Sequence, residues 1–304
     1  MREGISFCLS LPLDYPGGSL LNPRRTPPVL HPTGDADMPR FNFPMSKADP
    51  HYTDIVSDDR VLLTLQYSTQ WDSLAHVGSH FDADGDGKPE PVYYNGWRAG
   101  IDVVGPHDYG TGAAPGQPSS ARKLGIENMA VKCVQGRGVM VDIAHHFGRA
   151  RTQIGYDEMM RVLDADKVEI EAGDMVLLHT AFATLILEMN RNPDDSLHNA
   201  CAVLNGRDKK LLNWITDSGL AVLIADNYGV EGVPALPGAG DCHAGLPLHE
   251  HCLFKLGVHL GELWYLHELA TWLRAKGRNR FLLTAPPLRL PGAVGSPATP
   301  VATV

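Results

Sequence analysis

Apolar and polar positions alternate regularly only in the second part of the chain. From about residue 125 the stretch "GRGVMVDIA" reads as an apolar strand and "YDEMMRVLDA" as a short amphipathic helix. "GDMVLLHTA" reads as a strand entered through a Gly-Asp turn, and "RDKKLLNWITDSG" as a helix closed by Gly219. There follow the buried strand "LAVLIAD", the helix "PLHEHCLFKLG" with Pro247 in its first turn, the strand "VHLGEL", the helix "LHELATWLRAKG" and the strand "RFLLTAP". Strands and helices taking turns in this way define an α/β class.

The first part is less regular. "MREGISFCLSLPLDYPGG" contains an apolar run read as a strand, and "RVLLTLQYS" reads as another. Between them, residues 21–60 are rich in Pro, Asp and His and follow neither period, which points to an excursion or lid held by contacts. Residues 84–120 form a second irregular insertion, rich in Gly and Pro and carrying the aromatic patch "YYNGW". With no repeat, heptad run or linker-like break, one domain over residues 1–304 is expected.

Composition narrows the class further. At 304 residues, 43% hydrophobic and 20% charged, the chain has the make-up of a globular enzyme. A net charge of -9 without any long Lys/Arg cluster argues against nucleic acid as a partner. The N-terminal apolar run is interrupted by Ser and Pro and lacks a small-residue cleavage site, and no window approaches the roughly 18 apolar residues of a membrane span. Five scattered cysteines without a Cys-x-x-Cys pair suggest neither a disulfide framework nor a zinc knuckle. A reducing cytoplasm is the expected location.

The candidate chemistry is crowded into "STQWDSLAHVGSHFDADGDG", Ser68 to Gly87. Three metal readings overlap there. His76, His80 and Asp82 form a His-x-Gly-Ser-His-x-Asp set. Asp72 and His76 are four apart and would share a face of a helix, with Gln70 and Gln66 as further oxygen ligands upstream. Asp82, Asp84 and Asp86 open an oxygen-only calcium loop, although its twelfth position is Tyr93 where a bidentate Glu is required. Elsewhere, Glu262 is a carboxylate beside an apolar strand, a place where an unpaired charge is costly and a partner or cation is expected. Asp142, His145 and His146 end a strand, as do Asp226 and Asn227. Trp71, Tyr93, Tyr94, Asn95 and Trp97 are candidates to wall a flat substrate, with buried core packing as the alternative. No Gly-x-Ser-x-Gly elbow, Walker loop or dinucleotide fingerprint is present.

Set side by side, "TQWDSLAH", "VYYNG", "GRGVMVD", "GDMVLLHTAF", "ADNYGVE", "LPLHEHCLFKLGVHLGELWYLHELA" and "APPLRLPGAVGSPATPVA" resemble the cyclase-like, kynurenine-formamidase-like metal-dependent hydrolases. That group includes isatin hydrolases and some lactone-opening enzymes. The resemblance runs from about Ser6 to Val301. It implies a swivelling β/β/α fold, a homodimer or larger assembly, a small-molecule substrate and hydrolysis of an amide, cyclic imide, lactam or lactone.

The family signature is His-x-Gly-Thr-His-x-Asp-Ala-x-x-His, whose first two His and Asp hold the metal and whose last His lies beside the attacking water. Starting from His76 the match is good through Ala83, but the final His falls on Asp86. Starting from Gln66, the Asp and last His fall on Asp72 and His76, with Gln66 and Gln70 in the two leading His positions. The upstream frame follows a predicted strand and is preferred, with the downstream frame left as its rival. The resemblance assigns the remaining ligands to His249, with His251 as competitor, and Glu262. His179 occupies a place where the family often has Arg. Gln contributes no charge and is weaker than imidazole for zinc, so manganese stands beside zinc as the expected metal. His76 would then be the general base, since an imidazole changes charge near neutral pH. A metal-free ligand binder and a calcium-stabilised binding module are the rival classes.

Overall fold

The computed structural model describes residues 3–110 and 116–304. At its centre, alternation sets two faces on every strand. In Gln135–Asp142, Val139 and Val141 face one side and Met140 the other; Val176 and Leu178 oppose Leu177 in Met175–His179 in the same way, and Leu223 opposes Ile224 in Val222–Ala225. All are buried, so these strands need cover on both faces. The helices Tyr156–Ala165 and Lys209–Ser218 and the segment 247–256 cover one side, and the helix His267–Ala275 covers the other with Trp71 and Trp264.

The resulting sheet has nine strands in the order Ser6–Cys8, Val301–Thr303, Arg280–Thr284, Gln135–Asp142, Met175–His179, Val222–Ala225, His259–Glu262, Gln70–Asp72 and Gly295–Pro297. The four strands from Gln135–Asp142 to His259–Glu262 are mutually parallel, and the flanking pairs are antiparallel. Their carboxyl ends therefore line up along one edge, where open α/β sheets bind ligands. Asp142, His179, Asp226 and Glu262 all lie at or just beyond those ends.

The helices start and stop where local chemistry dictates. Asp208 caps Lys209–Ser218 by accepting from the amides of Lys210 (2.9 Å) and Leu211 (3.4 Å), and Gly219 ends it in the left-handed region at φ 65°. Glu158 reaches back to the Gly155 amide at 3.1 Å to close the first turn of Tyr156–Ala165.

Three expectations are corrected. "RVLLTLQYS" is not a core strand: only Asp59–Leu62 is extended, exposed, and paired with Val29–Pro32 in a ribbon of the excursion. The core strand is Gln70–Asp72 itself, followed by a turn in which the His76 amide donates to the Ser73 carbonyl at 3.0 Å, so Asp72 and His76 do not share a helix. After one α turn at Pro247–His249, the segment Glu250–Leu256 is a π-helix ending at Gly257, φ 71°. The two irregular segments fold as short ribbons: Val29–Pro32 with Asp59–Leu62 and Phe43–Pro44 with Ile55–Val56 in the first, Ser79–Phe81 with Glu90–Val92 and Val103–Val104 with Ser120–Ala121 leading into and through the second. Residues 111–115 of that insertion lie outside the described residues.

Trp71 was a candidate for the substrate wall, but it points away from its neighbours Gln70 and Asp72. It is fully buried, donates from Nε1 to the Ala285 carbonyl at 2.8 Å and packs edge-on against Trp264 at 5.0 Å. Trp71→Ala is expected to destabilise the fold by about 3–5 kcal/mol, read as a lower urea midpoint at unchanged slope.

Candidate metal centre

The pairing of Gln70–Asp72 with His259–Glu262 builds the site. Glu262 stands directly opposite Gln70, and Gln70 and Asp72, two apart on one strand, share a face. The Gln70 amide nitrogen bridges the two carboxylates, donating to Glu262 Oε2 at 3.1 Å and to Asp72 Oδ1 at 3.2 Å. His249 reaches in from the turn that opens the π-helix. Its Nε2 lies 3.1 Å from Glu262 Oε1 and 4.0 Å from Asp72 Oδ2. Ligand atoms of Asp72, His249 and Glu262 fall within 4.8 Å of one another, and all three residues are buried.

Glu231, at the end of "ADNYGVE", completes the set, and no local pattern in the sequence marks it. It is fully buried and accepts from His249 Nδ1 at 2.8 Å and from the Leu248 and His249 amides at 3.0 Å. Gly206 leaves room for it, because a Cβ there would run into Glu231 Oε2. Glu231 therefore orients the imidazole through one nitrogen and leaves the other facing Asp72 and Glu262, the arrangement of a ligand His held by an outer carboxylate. The competitor His251 points elsewhere, its Nε2 paired with Thr216 Oγ1 at 2.9 Å on the surface.

The electrostatics follow from this geometry. Burial opposes a charge on His249, yet the Glu231 and Glu262 carboxylates outweigh it and push the imidazole up to about 10. Burial raises Asp72 above the ordinary carboxylate range against the pull of His76. Glu262, despite burial, is drawn below its ordinary value by the hydrogen bond from His249. Two buried oxygens, Gln70 Oε1 and Asp72 Oδ2, have no hydrogen-bond partner. Orphaned buried acceptors are costly. Two carboxylates, one imidazole and a free amide oxygen suit a divalent cation, so the residues present fit a metal at Asp72, His249, Glu262 and Gln70.

The other expected residues divide between this place and elsewhere. His76 stands at the mouth, its side chain 21% exposed, with Nε2 3.9 Å from Asp72 Oδ1 and its ring 6.5 Å from that of His249. Gln66 lies in the turn before the strand and packs over Gly295, the neighbour of Asp72 across the sheet; a Cβ on that glycine would come within 2.5 Å of Gln66 Nε2. The downstream frame separates: His80 is exposed on a ribbon and Asp82 sits in the next turn. Asp82, Asp84 and Asp86 do converge, but Asp82 already accepts from the Gly85 and Gly87 amides at 2.7 and 2.9 Å, and Asp84 pairs with Arg98 at 2.9 Å. Asp226, expected in the pocket, is consumed internally: it accepts from the Thr180 amide and hydroxyl and the Ala181 amide. Tyr94 covers Gly257 at the end of the π-helix, and Asn95, at φ 60°, lines a surface cleft with Phe81 and Phe254. Tyr93 is half-buried and its ring abuts Gly78, while Trp97 lies under the Lys123 ammonium at 5.0 Å.

A second buried pair occupies the same sheet edge. His179 Nδ1 and Asp142 Oδ1 are 2.7 Å apart, and Arg274 closes on Asp142 Oδ2 at 2.6 Å. His146 turns away to Asp166 at 3.0 Å, and His145 Nδ1 meets Arg274 at 3.2 Å. Burial disfavours both charges, but the mutual bond prevails, raising His179 and lowering Asp142.

With this geometry in view, the comparisons are clear. Residues 9–232 match the family model described as Cyclase, and the chain belongs to the cyclase family. A crystal structure described as a novel cyclase superposes with TM-score 0.71 at 31% identity, covering 100% of this chain and 88% of that one. Isatin hydrolase A from Labrenzia aggregata, bound to benzyl benzoate, gives TM-score 0.60 at 11% identity over 99% of this chain and 93% of its own. A predicted metal-dependent hydrolase from Bacillus stearothermophilus gives 0.52 at 14% identity over 98% of each. At these identities the last two share the fold. No curated protein matches the chain. Among the described residues, no helix is long and apolar enough to cross a membrane.

Two outcomes test the electrostatics. Glu231→Gln is expected to weaken divalent-metal affinity by about 10- to 100-fold, measured by competition with a chromophoric chelator. For the second pair, a raised His179 stabilises the fold below the ordinary imidazole value, with loss as pH climbs through the raised one. A lowered Asp142 stabilises it above the ordinary carboxylate value, with loss as pH falls through the lowered one. The stability gap between wild type and His179→Gln should therefore be widest between about pH 4.5 and 6.5 and narrow on either side, as urea titrations across pH would show.

Proposed function

We propose that the chain is a metal-dependent hydrolase that opens or cleaves an amide, cyclic imide, lactam or lactone carbonyl of a small molecule. The observation that supports this most is the convergence of Asp72, His249 and Glu262 beside two buried oxygens left without protein donors. Isatin hydrolases and metal-dependent hydrolases among proteins of the same fold favour the same chemistry.

Asp72, His249, Glu262 and the Gln70 carbonyl oxygen would hold the cation, with Gln66 near enough in the chain to complete the shell. The neutral amide ligand favours manganese, with zinc as the alternative. When bound, the cation supplies a Lewis acid that acidifies water and polarises a carbonyl. His76 then takes the proton from the attacking water and delivers it to the leaving nitrogen or oxygen. Its partial exposure suits that transfer, and its Nε2 lies on the side of the ligand cluster, 3.9 Å from Asp72 Oδ1. Glu231, by holding Nδ1, keeps His249 Nε2 turned toward Glu262 and Asp72, where it would serve as a ligand. The buried strand edge excludes bulk water from the back of the cluster, since Gln70, Asp72 and Trp71 are all fully inaccessible.

Elemental analysis of purified variants tests the assignment. Wild type should carry about one divalent ion per chain, Asp72→Ala should lose it and His80→Ala should keep it. His76→Ala should also keep it, with kcat down by about 10²- to 10⁴-fold on whichever of a lactone, cyclic imide and formamide panel wild type hydrolyses. Metal retained by Asp72→Ala and lost by His80→Ala would transfer the site to His76, His80 and Asp82.

A further inference from the structure

Two guanidinium groups adjoin Tyr228 without a carboxylate partner. Arg25 comes from the start of the excursion. Its Nη1 donates to the Gln66 carbonyl at 2.7 Å and its guanidinium lies 5.7 Å from the Tyr228 ring centroid. Among the described residues this is its one hydrogen bond, out of five donors that an arginine carries, and it forms no ion pair. Through that carbonyl it stands against the turn that leads into Gln70–Asp72.

Arg151 precedes the short strand Thr152–Ile154 and stands on the other side of Tyr228. It is half-buried, and among the described residues it makes no hydrogen bond or ion pair; burial lowers it below the ordinary guanidinium range. The hollow that it lines is shared with Phe182, His198, Asn227 and Tyr228, and Asn227 Oδ1 is a further buried atom with no partner. A second hollow, lined by Asn22, Arg25, Tyr67 and Tyr228, adjoins it through Leu21 and Tyr228. Asn227 and Tyr228 directly follow Asp226 at the carboxyl end of Val222–Ala225, and the Asn227 carbonyl accepts from the Leu263 amide, next to Glu262. The two hollows therefore lie at the same end of the sheet as Glu262.

Of the other half-buried arginines, Arg278 and Arg280 each close on a carboxylate at 2.8 Å, Arg207 donates to the Leu236 and Ala244 carbonyls, and Arg40 stacks on the Phe43 ring. Arg151, half-buried without an acceptor, has lost part of its hydration without compensation, and Arg25 leaves most of its donors unused across the same tyrosine; together they indicate an acceptor that arrives from outside. Planar forked donors select carboxylates.

We propose that Arg25 and Arg151 form a carboxylate-binding subsite around Tyr228, so that the substrate of the proposed hydrolase is an anionic acyl compound: an amide, imide or lactone that also bears a carboxylate. This rests on the reading of Asp72, His249 and Glu262 as the reactive centre. The hollows hold about 10 and 20 Å³, room for a water molecule and not for a substrate. Leu21 lines both hollows and Asn22 the first, with Asn22 Nδ2 donating to the Tyr228 hydroxyl at 3.2 Å, so a larger ligand requires this start of the excursion to shift.

Calorimetric titration of the full chain with succinate and with neutral succinamide, in metal-loaded and chelator-treated protein, tests this. Succinate should bind about tenfold or more tightly than succinamide in both states. Arg151→Gln and Arg25→Gln should each remove that preference while circular dichroism and metal content stay as in wild type, and Arg151→Lys should restore part of it. Equal binding of the two probes by wild type, or a preference that survives both glutamine variants, would overturn the subsite. A stoichiometric metal with no preference would defeat this inference alone; a preference in a protein that takes up no metal would defeat the hydrolase reading and leave the anion subsite standing.

Discussion

Asp72, Glu231 and Glu262 are carboxylates withdrawn from water around one imidazole, and the architecture nearby is organised to make that tolerable. An isolated buried carboxylate would neutralise itself. Here each is placed by an element that cannot easily relax. Asp72 and Glu262 sit on paired strands, and Glu231 is held against the two amides that begin the His249 turn. His249 serves as the common counter-charge, which is why its basicity rises although burial pushes the other way. A cation bound there would assume that role and release the imidazole to act as a neutral ligand.

The same edge shows how unequal neighbouring acids can be. Asp226, one strand away from Glu262, is just as deeply buried, but its oxygens are saturated by Thr180 and Ala181 and serve only to pin the chain. Asp72 keeps an oxygen unpartnered. Chemical availability is thus set by hydrogen-bond accounting and not by burial or by position at a strand end.

Much of the regular half of the chain was legible. The period of "YDEMMRVLDA" gives a helix whose buried residues, Met159 and Val162, are those on its apolar face, and "RDKKLLNWITDSG" carries its own cap and stop signals. Asp72, His249 and Glu262 were recognisable from the family resemblance, and their spatial convergence was not, because it depends on strand pairing between residues about 190 apart. The π-helix has no signature in the chain, since the hydrophobic spacing of "EHCLFKL" is compatible with an ordinary helix. Trp71 was misplaced for a different reason: aromatic chemistry suggested a pocket wall, whereas strand alternation, once Gln70–Asp72 is known to be the strand, sends it to the other face. Arg25 and Glu231 carried no local pattern at all.

Trp71 also has a use remote from its own packing. Side chains of a strand repeat every two residues, so a slip of one position in Gln70–Asp72 would exchange its faces. Gln70 and Asp72 would then enter the apolar layer beside Trp264, and the indole would land among the carboxylates. The penalty of that exchange falls on both faces together, and the large ring makes it severe. A bulky hydrophobe with no contact to the ligand atoms thus works as an alignment key: it penalises the wrong threading of the strand, and so favours the one phase in which two polar side chains meet Glu262 on the opposite strand.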